Sequence, residues 1–472
     1  MPTWPVDMIE VANDLVALLG PDQVVSDLDV IASHSSDWTG RFRGHAPVML
    51  RPVRVEDVAI ALRWCNEHRI GVVTQGGNTG LVGGATPYGH VLLSTLGLRA
   101  TYPVDESAGQ VTVRAGVTLG QLQRHLHGSG WDFGIDLASR DTATIGGMVA
   151  TNAGGTRVLR YGMMRSQVRG LQAVLTDGSV VSHLAGMEKD NTGYHLDGLL
   201  CGSEGTLGVI TEVRLALVPT TSSRVTAQVG CLDWSDAVTL STALRRQVRH
   251  LDAIEAVTAS GIALVRDELG VSVPLDAPIL MIVEVASNGD ACDDLIRVIG
   301  DRPNVVAMDS VGRARLWQVR ERQTEAINRR GPPHKLDVTV PVAVLASFCE
   351  EVVHRVTRCC PGASVHLFGH LGDGNIHVNI SGVSPDDELV DEAVFSLVRL
   401  HDGSISAEHG IGRAKAKWLP RQRSAAELGA MRAIKDALDP HGILNPGVIF
   451  DQTLMNGRQG RSGSSAKRES SG

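Results

Sequence analysis

Two hydrophobic periodicities alternate along the first half of the chain. Val58, Ala61, Leu62 and Cys65 are spaced three and four residues apart, which predicts an amphipathic helix. The apolar run at 71–74 that follows predicts a short strand. Because helical and strand periods interleave in this way, the sequence predicts mixed α and β structure.

The hydrophobic pattern changes near residue 220. Helical patterns become longer, at 234–249 and 345–358, and a nearly continuous apolar run covers 277–286. That run is well short of the roughly 18 apolar residues of a membrane-spanning helix, and it predicts a buried strand. The change in pattern predicts a second α+β domain.

Composition narrows the class of protein. The 472 residues are 43% hydrophobic and 20% charged, as in ordinary globular proteins, and the net charge of −8 gives no electrostatic basis for binding nucleic acid. The seven cysteines form no C-x-x-C pair, which argues against a disulfide scaffold and iron–sulfur ligation. The N-terminus lacks a basic segment before an apolar one, so we expect no signal peptide, no transmembrane segment and a cytoplasmic protein.

Much of the glycine content lies in three loops, at 75–84, 145–155 and 202–208. A strand that ends in a Gly-rich turn can present several backbone N–H groups to an anion, since no Cβ atoms intervene. None of the loops has the G-x-G-x-x-G pattern with a later acidic residue, so a Rossmann fold is not predicted. Together they suggest a long ligand lying against backbone, whereas each loop alone is also compatible with an ordinary tight turn.

Two histidines flank a segment of turn-forming residues. His370 and His377 enclose Leu-Gly-Asp-Gly-Asn, which predicts two short strands joined tightly, with His377 and Asn379 on one face of the second strand. Glu408, beside His409 in a later loop, adds a carboxylate. Two imidazoles and a carboxylate suit a divalent metal with open coordination positions. Histidines that serve only packing or the surface are the alternative from spacing alone.

A charged helix is predicted at 317–324. Arg320 and Thr324 are four residues apart and would share one face of it, and Lys335 follows a Gly-Pro-Pro break. A solvated charged face is the alternative interpretation, and we prefer it for Arg322, Arg329 and Arg330.

The motifs in these segments resemble those of the vanillyl-alcohol-oxidase type of flavoprotein. The resemblance is strongest to the branch with D-2-hydroxyglutarate dehydrogenase, D-lactate dehydrogenase and the flavin subunit of glycolate oxidase. The motifs that carry it are QGGNTGLVGG at 75–84, IGGMVATNAGG at 145–155, KDNTGY at 189–194, GSEGTLG at 202–208, GHLGDGNIH at 369–377, SAEHGIG at 406–412 and LDPHGILNPG at 438–447. They run in order along the chain up to its C-terminal tail.

The resemblance implies an α+β architecture. An FAD-binding domain of the PCMH type, with two subdomains, would cover residues 1–220, and an α+β cap domain for the substrate would cover 221–424. Residues 425–455 would return to the FAD-binding domain. Residues 456–472 contain almost no apolar side chain, so we expect them to be disordered.

The same resemblance implies which residues bind FAD. The pyrophosphate would lie on the first loop and the rest of the cofactor along the second, with contributions from the third and from the C-terminal segment. In some members a histidine bonded to the flavin follows the Gly-Gly pair, but here that residue is Asn78, so we expect noncovalent FAD. The implied cofactor-binding residues are Gln75, Gly76, Gly77, Asn78, Thr79, Gly80, Thr142, Gly146, Gly147, Asn152, Gly154, Gly155, Val209, Ile210 and Asn445.

For the reaction, the resemblance implies His370, His377 and Glu408 as metal ligands, with zinc expected and manganese as the alternative. His409 would take the substrate hydroxyl proton while a hydride passes to flavin N5, although it could instead be another ligand or orient one. The implied substrate-binding residues are Arg320, Thr324, Lys335 and Asn379.

These implications together predict FAD-dependent oxidation of a D-2-hydroxy acid to the 2-oxo acid. D-2-hydroxyglutarate is the favoured substrate, and D-lactate and glycolate are the alternatives. A flavin-dependent transferase of the ether-lipid-synthase type is a further alternative, which the implied metal ligands disfavour. Electrons would pass to an electron-transfer flavoprotein, a partner subunit or a quinone. A homodimer is the expected assembly.

Overall fold

The computed structural model describes residues 8–290 and 292–451, so the predicted disordered tail at 456–472 lies outside the described residues. The predicted helix around Val58 and the strand after it are both confirmed, as α3 and β3. The helices are α1 Met8–Leu19, α2 Leu28–Ser33, α3 Val55–Glu67, α4 Leu119–Leu126, α5 Ile145–Thr151, α6 Val158–Tyr161, α7 Met164–Gln167, α8 Leu196–Leu200, α9 Trp234–Gln247, α10 Ala259–Leu269, α11 Asp293–Ile299, α12 Ser310–Glu321, α13 Gln323–Arg329, α14 Leu345–Cys359, α15 Glu388–Leu400 and α16 Ala425–Leu438.

The strands before residue 220 form two four-stranded sheets and a short pair. The first sheet has the order β1-β2-β4-β3 and the second the order β5-β9-β7-β8, while β6 pairs with β10. β3 and β4 run parallel, and the first Gly-rich loop follows β3 directly. The strands are β1 Val24–Val25, β2 Met49–Leu50, β3 Val72–Gln75, β4 Val91–Ser94, β5 Gln110–Arg114, β6 Trp131–Asp132, β7 Val168–Val174, β8 Val180–His183, β9 Val209–Ala216 and β10 Val218–Pro219.

The strands after residue 220 form one seven-stranded sheet of order β14-β11-β13-β12-β16-β17-β15. All its neighbouring strands are antiparallel. All nine residues of β13 are buried, as the continuous apolar run predicts. The strands are β11 Ser223–Cys231, β12 Leu251–Thr258, β13 Ile279–Ser287, β14 Asn304–Ala307, β15 His334–Thr339, β16 Ser364–His370 and β17 Asn375–Ser381.

The three strands β15, β16 and β17 have one apolar and one polar face. The apolar face packs with α14 and α15 in a single core, through Leu336, Val338, Leu367, Ile376, Val378 and Ile380. Since side chains alternate across a strand, the intervening residues turn to the opposite face. That face carries Lys335, Asp337, His366, Phe368, His370, Asn375, His377 and Asn379. His377 and Asn379 therefore share a face, as the sequence predicts.

The predicted single helix at 317–324 is wrong. The chain forms two helices, α12 and α13, which meet at Arg322. Arg322 ends one helix and precedes the next with φ −93° and ψ 6°, outside the helical region. The buried Gln323 side chain donates to the carbonyl oxygens of Val319 and Gly261, which holds the break against α10. Arg320 and Thr324 therefore lie on different helices.

The last described residues lie against the first two sheets. Leu444 forms a β-bridge with Val72 of β3. The Asn445 side chain accepts from Thr74 N at 2.9 Å and donates to the carbonyl oxygens of Gly84 (3.2 Å) and Glu204 (2.6 Å). One side chain thus joins β3, the first Gly-rich loop and the third.

Candidate active site

The first Gly-rich loop crosses the residues just before the second Gly-rich loop at very close range. A Cβ atom on Gly77 would lie 1.8 Å from the carbonyl oxygen of Thr142, and one on Gly76 would lie 2.2 Å from Oγ1 of Thr144. No side chain fits at either position. Gln75 fixes the start of the loop, because its buried amide nitrogen donates to the carbonyl oxygens of His34 and Ala85.

The backbone N–H groups of residues 76–80 have no hydrogen-bond acceptor among the described residues. This range includes Thr79 and Gly80, and the loop is half-buried up to Thr79. Successive unpaired N–H groups in a turn form a site for an anion such as a pyrophosphate. The loop therefore fits the phosphates of FAD. The Asn78 side chain donates to the carbonyl oxygen of Ser36 at 2.7 Å, so it holds a neighbouring loop.

The second Gly-rich loop reaches toward the predicted metal ligands. Gly146 and Gly155 have no room for a Cβ atom, which would lie 2.5 Å from Cβ of Ala115 and 2.1 Å from the carbonyl oxygen of Asp136. Gly147 donates to the Thr144 hydroxyl at the start of α5. A Cβ atom on Gly154 would lie 3.2 Å from Oε2 of Glu408. This loop therefore lies against both the first loop and the loop of Glu408.

The side chains of three residues predicted to bind FAD, Asn152, Val209 and Ile210, already contact other parts of the protein. Asn152 ends α5 in the left-handed conformation, with φ 49°, and its side-chain oxygen accepts from Arg165 N at 2.8 Å. Val209 and Ile210 are buried in two hydrophobic cores, so only their backbone is available to a cofactor.

The third Gly-rich loop is bonded to the loop that carries Glu408 and His409. Glu204, buried in the third loop, accepts from Ile411 N at 2.8 Å and Gly412 N at 2.7 Å. Sequence reasoning did not single out Glu204. Its carboxylate connects a predicted cofactor loop to the predicted metal loop.

We expect Gly77→Ala to weaken FAD binding strongly, so that the purified variant retains much less flavin than the wild type. The added methyl group would overlap a backbone oxygen, so the first and second loops would have to separate, at a cost of about 1–3 kcal/mol. The ratio of flavin absorbance to protein absorbance after purification measures the effect. Gly429→Ala is the matched control, because a Cβ atom there meets no protein atom within 4 Å and alanine favours its helix, α16. Full flavin content in Gly77→Ala would contradict the crossing of these loops.

Three imidazoles surround a single oxygen atom. Oε1 of Glu408 lies 3.6 Å from Nε2 of His370, 3.7 Å from Nε2 of His377 and 3.9 Å from Nε2 of His409. The structure thus brings together all three predicted metal ligands and the predicted catalytic histidine. Burial ranges from nearly complete for His370 to partial for His409.

A carboxylate faces the other ring nitrogen of each imidazole. Nδ1 of His370 lies 2.6 Å from Oε1 of Glu255. Nδ1 of His377 and Nδ1 of His409 lie 3.5 Å and 3.8 Å from the two oxygens of Asp337. This arrangement directs the Nε2 atoms toward Oε1 of Glu408, and it resembles metal sites in which a carboxylate supports a histidine ligand. The donor set therefore fits a divalent metal such as zinc.

Asp337 could itself be counted as a metal ligand, since its oxygens lie within 4.8 Å of ligand atoms of His377, Glu408 and His409. Its hydrogen bonds argue for a supporting role. Oδ2 accepts from the backbone N–H groups of residues 407–409 at 2.8–3.1 Å, and Oδ1 accepts from the Asn375 side chain at 2.7 Å. A carboxylate with these four donors has little capacity left for a metal ion.

Sequence reasoning missed Asp337 and Glu255. A signal for Asp337 was present, because it is two residues from Lys335 in a strand and therefore on the same face. No local signal identifies Glu255, which is 115 residues from His370 in the sequence.

The electrostatics of the cluster favour charged carboxylates. Burial would raise the pKa of Glu408, but His370 and His377 outweigh it and bring that pKa to about 2. Burial also lowers the pKa of His370, yet Glu255 and Glu408 raise it well above its usual value, so a metal ion bound there would displace the proton from this ring. Burial lowers the pKa of His377 to about 3, which leaves its ring neutral, the form that binds metals.

Three of the four predicted substrate-binding residues, Arg320, Lys335 and Asn379, lie around this cluster. The guanidinium of Arg320 lies 4.7 Å above the Phe368 ring, and its Nε donates to Oε2 of Glu255 at 2.6 Å. Its two terminal nitrogens have no hydrogen-bond acceptor among the described residues, so that edge can bind a carboxylate. Lys335 lies directly opposite Asn379, and its Nζ is 5.2 Å from the Trp38 ring. Thr324 is half-buried on α13.

The fold is shared with flavoenzymes of known structure. p-Cresol methylhydroxylase matches with a TM-score of 0.76 at 16% identity, over 96% of this chain and 98% of that one. An alkyldihydroxyacetonephosphate synthase matches with a TM-score of 0.72 at 15% identity, over 94% and 85%. Two family models also match: "FAD binding domain" at residues 46–183 and "FAD linked oxidases, C-terminal domain" at 220–449. The predicted PCMH-type α+β fold is confirmed, and with these loops it defines an FAD-dependent oxidoreductase.

Sequence relatives narrow this class. D-2-hydroxyglutarate dehydrogenase, mitochondrial, from Bos taurus is 36% identical over 452 residues, which cover 92% of this chain and 82% of the relative. D-2-hydroxyglutarate dehydrogenase from Stutzerimonas stutzeri strain A1501 is 31% identical over 459 residues, covering 93% and 98%. The chain belongs to the family of FAD-linked D-2-hydroxy-acid dehydrogenases that contains these enzymes.

The sequence predicts no transmembrane segment, and the helices that bear on this prediction lie within the described residues, 8–290 and 292–451. None of them combines the length and the apolar character needed to cross a bilayer. The names of several relatives place them in mitochondria, so a cytoplasmic location stays a prediction for this chain.

Proposed function

We propose that this enzyme oxidises D-2-hydroxyglutarate to the 2-oxo acid with noncovalent FAD and a divalent metal. The observation that carries the proposal is the convergence of three Nε2 atoms on Oε1 of Glu408, in a loop hydrogen-bonded to the third Gly-rich loop. His370, His377 and Glu408 are the proposed ligands, with zinc favoured over manganese. The names of the relatives support the choice of substrate.

The cofactors supply the chemistry that side chains lack. When bound, FAD accepts a hydride and the metal acts as a Lewis acid that lowers the pKa of a bound hydroxyl. The fifteen residues predicted for FAD remain our assignment, with two refinements from the geometry. Val209 and Ile210 offer backbone only, and the side chains of Asn78 and Asn445 position loops.

We assign His409 as the base for the substrate hydroxyl. Its Nε2 faces Oε1 of Glu408, the atom on which the proposed metal ligands converge. Its Nδ1 faces the Asp337 carboxylate. A carboxylate behind an imidazole fixes the ring and stabilises the positive charge that it gains with the proton. Asp337 therefore positions His409 and His377 together.

Arg320, Thr324, Lys335 and Asn379 are the proposed contacts for the substrate carboxylates. Arg320 offers two donors in one plane, which suits bidentate binding of a carboxylate. Lys335 has no ion-pair partner among the described residues, so a second carboxylate would neutralise a half-buried cation. This favours a dicarboxylate over D-lactate or glycolate.

We expect the KM for D-2-hydroxyglutarate to rise above pH 8. Burial lowers the pKa of Lys335 to about 8, so at higher pH the ammonium group loses the proton that attracts the substrate. The increase between pH 8 and pH 9 should reach up to about fivefold. Steady-state KM values measured from pH 6.5 to 9.5 provide the test. Lys335→Arg is the control, because arginine keeps its charge and its profile should stay flat. A rise of equal size in that variant would exclude Lys335 as the cause.

The proposed function is tested by anaerobic mixing of the purified enzyme with D-2-hydroxyglutarate. We expect loss of the oxidised flavin absorbance with this substrate and weaker or slower loss with D-lactate and glycolate. Prior treatment with a chelator should prevent it, and zinc or manganese should restore it. An unchanged flavin spectrum with all D-2-hydroxy acids would reject the dehydrogenase reaction.

Electrons must leave the reduced flavin, and this chain offers no iron–sulfur motif. We propose an external acceptor, which could be an electron-transfer flavoprotein, a partner subunit or a quinone. We also propose the division into domains 1–220 and 221–424 with a returning segment at 425–455, and a homodimer as the assembly. The bridge from Leu444 to Val72 supports the returning segment.

A further inference from the structure

His366 is a buried polar side chain whose ring nitrogens are both unsatisfied within the part of the chain that the structure describes. The side chain is 4% exposed, and neither ring nitrogen has a hydrogen-bond partner among those residues. Burial, and to a smaller extent the nearby Arg330 cation, lower its pKa, so the ring is neutral with one N–H donor. Leaving such a group unsatisfied costs folding free energy, and native proteins seldom do so without a functional reason.

The strand register places His366 in a row with two predicted substrate-binding residues. His366 of β16 is directly opposite Asn379 of β17, which is directly opposite Lys335 of β15. Directly opposite residues share a face, with Cβ atoms about 4.5–5.5 Å apart. The three side chains therefore form one continuous row on the polar face.

This row consists of unused donors. Asn379 is 4% exposed and its side chain makes no hydrogen bond to a described residue. Lys335 contacts the Trp38 ring and has no carboxylate partner in the described part of the chain. An amide, an ammonium group and an imidazole N–H side by side match the acceptors of a carboxylate.

The row of His366, Asn379 and Lys335 lies two residues along the strands from the row that contains the proposed metal ligand His377. Phe368, His377 and Asp337 form the adjacent row, two residues along the same strands. Two residues of an antiparallel strand span about 6.8 Å. A substrate with its hydroxyl at the metal and a second carboxylate a short carbon chain away can reach both rows, whereas D-lactate has no group for the outer row.

We propose that His366 binds the distal carboxylate of a dicarboxylate 2-hydroxy acid, together with Lys335 and Asn379, and so sets the preference for dicarboxylates. This inference rests on the proposed function and adds a specificity residue that the sequence motifs do not contain. It also explains why a buried imidazole carries no internal hydrogen bond.

The test compares two substrates in His366→Leu, purified with its flavin and assayed with an artificial electron acceptor. We expect the KM for D-2-hydroxyglutarate to rise about tenfold or more, with the KM for D-lactate unchanged. The inhibition constant of glutarate should rise in parallel, and that of butyrate should not. The midpoint of thermal unfolding should equal or exceed that of the wild type, because leucine removes two unsatisfied nitrogens. His366→Gln, which keeps a donor, should retain most of the affinity for glutarate.

The outcomes separate the inference from the proposed function. Unchanged glutarate inhibition in His366→Leu would overturn the role of His366 while wild-type oxidation of D-2-hydroxyglutarate still supported the enzyme assignment. An equal rise in KM for both substrates would show a structural role and would also overturn it. The exposed His354 on α14, replaced by leucine, controls for the substitution itself.

Discussion

His377→Ala is expected to lower kcat by at least about 10²-fold while FAD stays bound. The ring of His377 lies beside those of His370 and His409, at centroid distances of 5.4 Å and 5.7 Å, and its Nε2 faces Glu408. Alanine would remove one of the three proposed metal ligands and leave the Gly-rich loops in place. Three measurements check this: metal content by elemental analysis, flavin absorbance, and turnover with D-2-hydroxyglutarate.

His354→Ala is the matched control for this substitution, since His354 is exposed on α14 and is not one of the proposed site residues. It should keep metal, flavin and turnover. If the His377→Ala variant turned over at the wild-type rate after exhaustive treatment with a chelator, the metal proposal would be rejected. Loss of FAD together with the metal would instead show that His377 supports the cofactor loops.

Asp337→Asn should lower metal affinity about 10- to 100-fold and reduce kcat with it. Both oxygens of Asp337 accept hydrogen bonds, from the Asn375 amide on one side and the 407–409 backbone on the other. An asparagine would point its NH₂ group at donors in either orientation, which leaves buried groups unsatisfied at a cost of about 1–3 kcal/mol. The loop of Glu408 and His409 would then shift. Competition with a chromophoric chelator measures the affinity.

Asp391→Asn separates this effect from general destabilisation. Asp391 is also buried and also pairs with a histidine, His334, at 2.9 Å, but on the apolar side of the sheet. The Asp391→Asn substitution should lower the free energy of unfolding without changing metal affinity. An equal loss of metal affinity in the two variants would remove the special role of Asp337.

The parts of this architecture with local signals could be predicted from the sequence. The helical period around Val58, the buried strand at 279–287 and the alternation that places His377 beside Asn379 are each visible within about ten residues. The sequence motifs also located the three Gly-rich loops along the chain. These features depend on neighbouring residues, which is why periodicity reveals them.

The parts that depend on distant residues could not be predicted in this way. Glu255 reaches His370 and Arg320 from another strand of the sheet, and Glu204 reaches the 411–412 backbone across 207 residues of sequence. The break at Arg322 comes from Gln323 binding a different helix, against the local helical period. His366 shows no signal until the register places it beside Asn379.

The contact between Glu204 and the backbone of Ile411 and Gly412 has a thermodynamic consequence. The third Gly-rich loop and the loop of Glu408 cannot be ordered independently, because each supplies half of these two bonds. The proposed flavin and metal sites would therefore be coupled, and by reciprocity any change that one cofactor makes in the affinity of the other would be returned by the same factor.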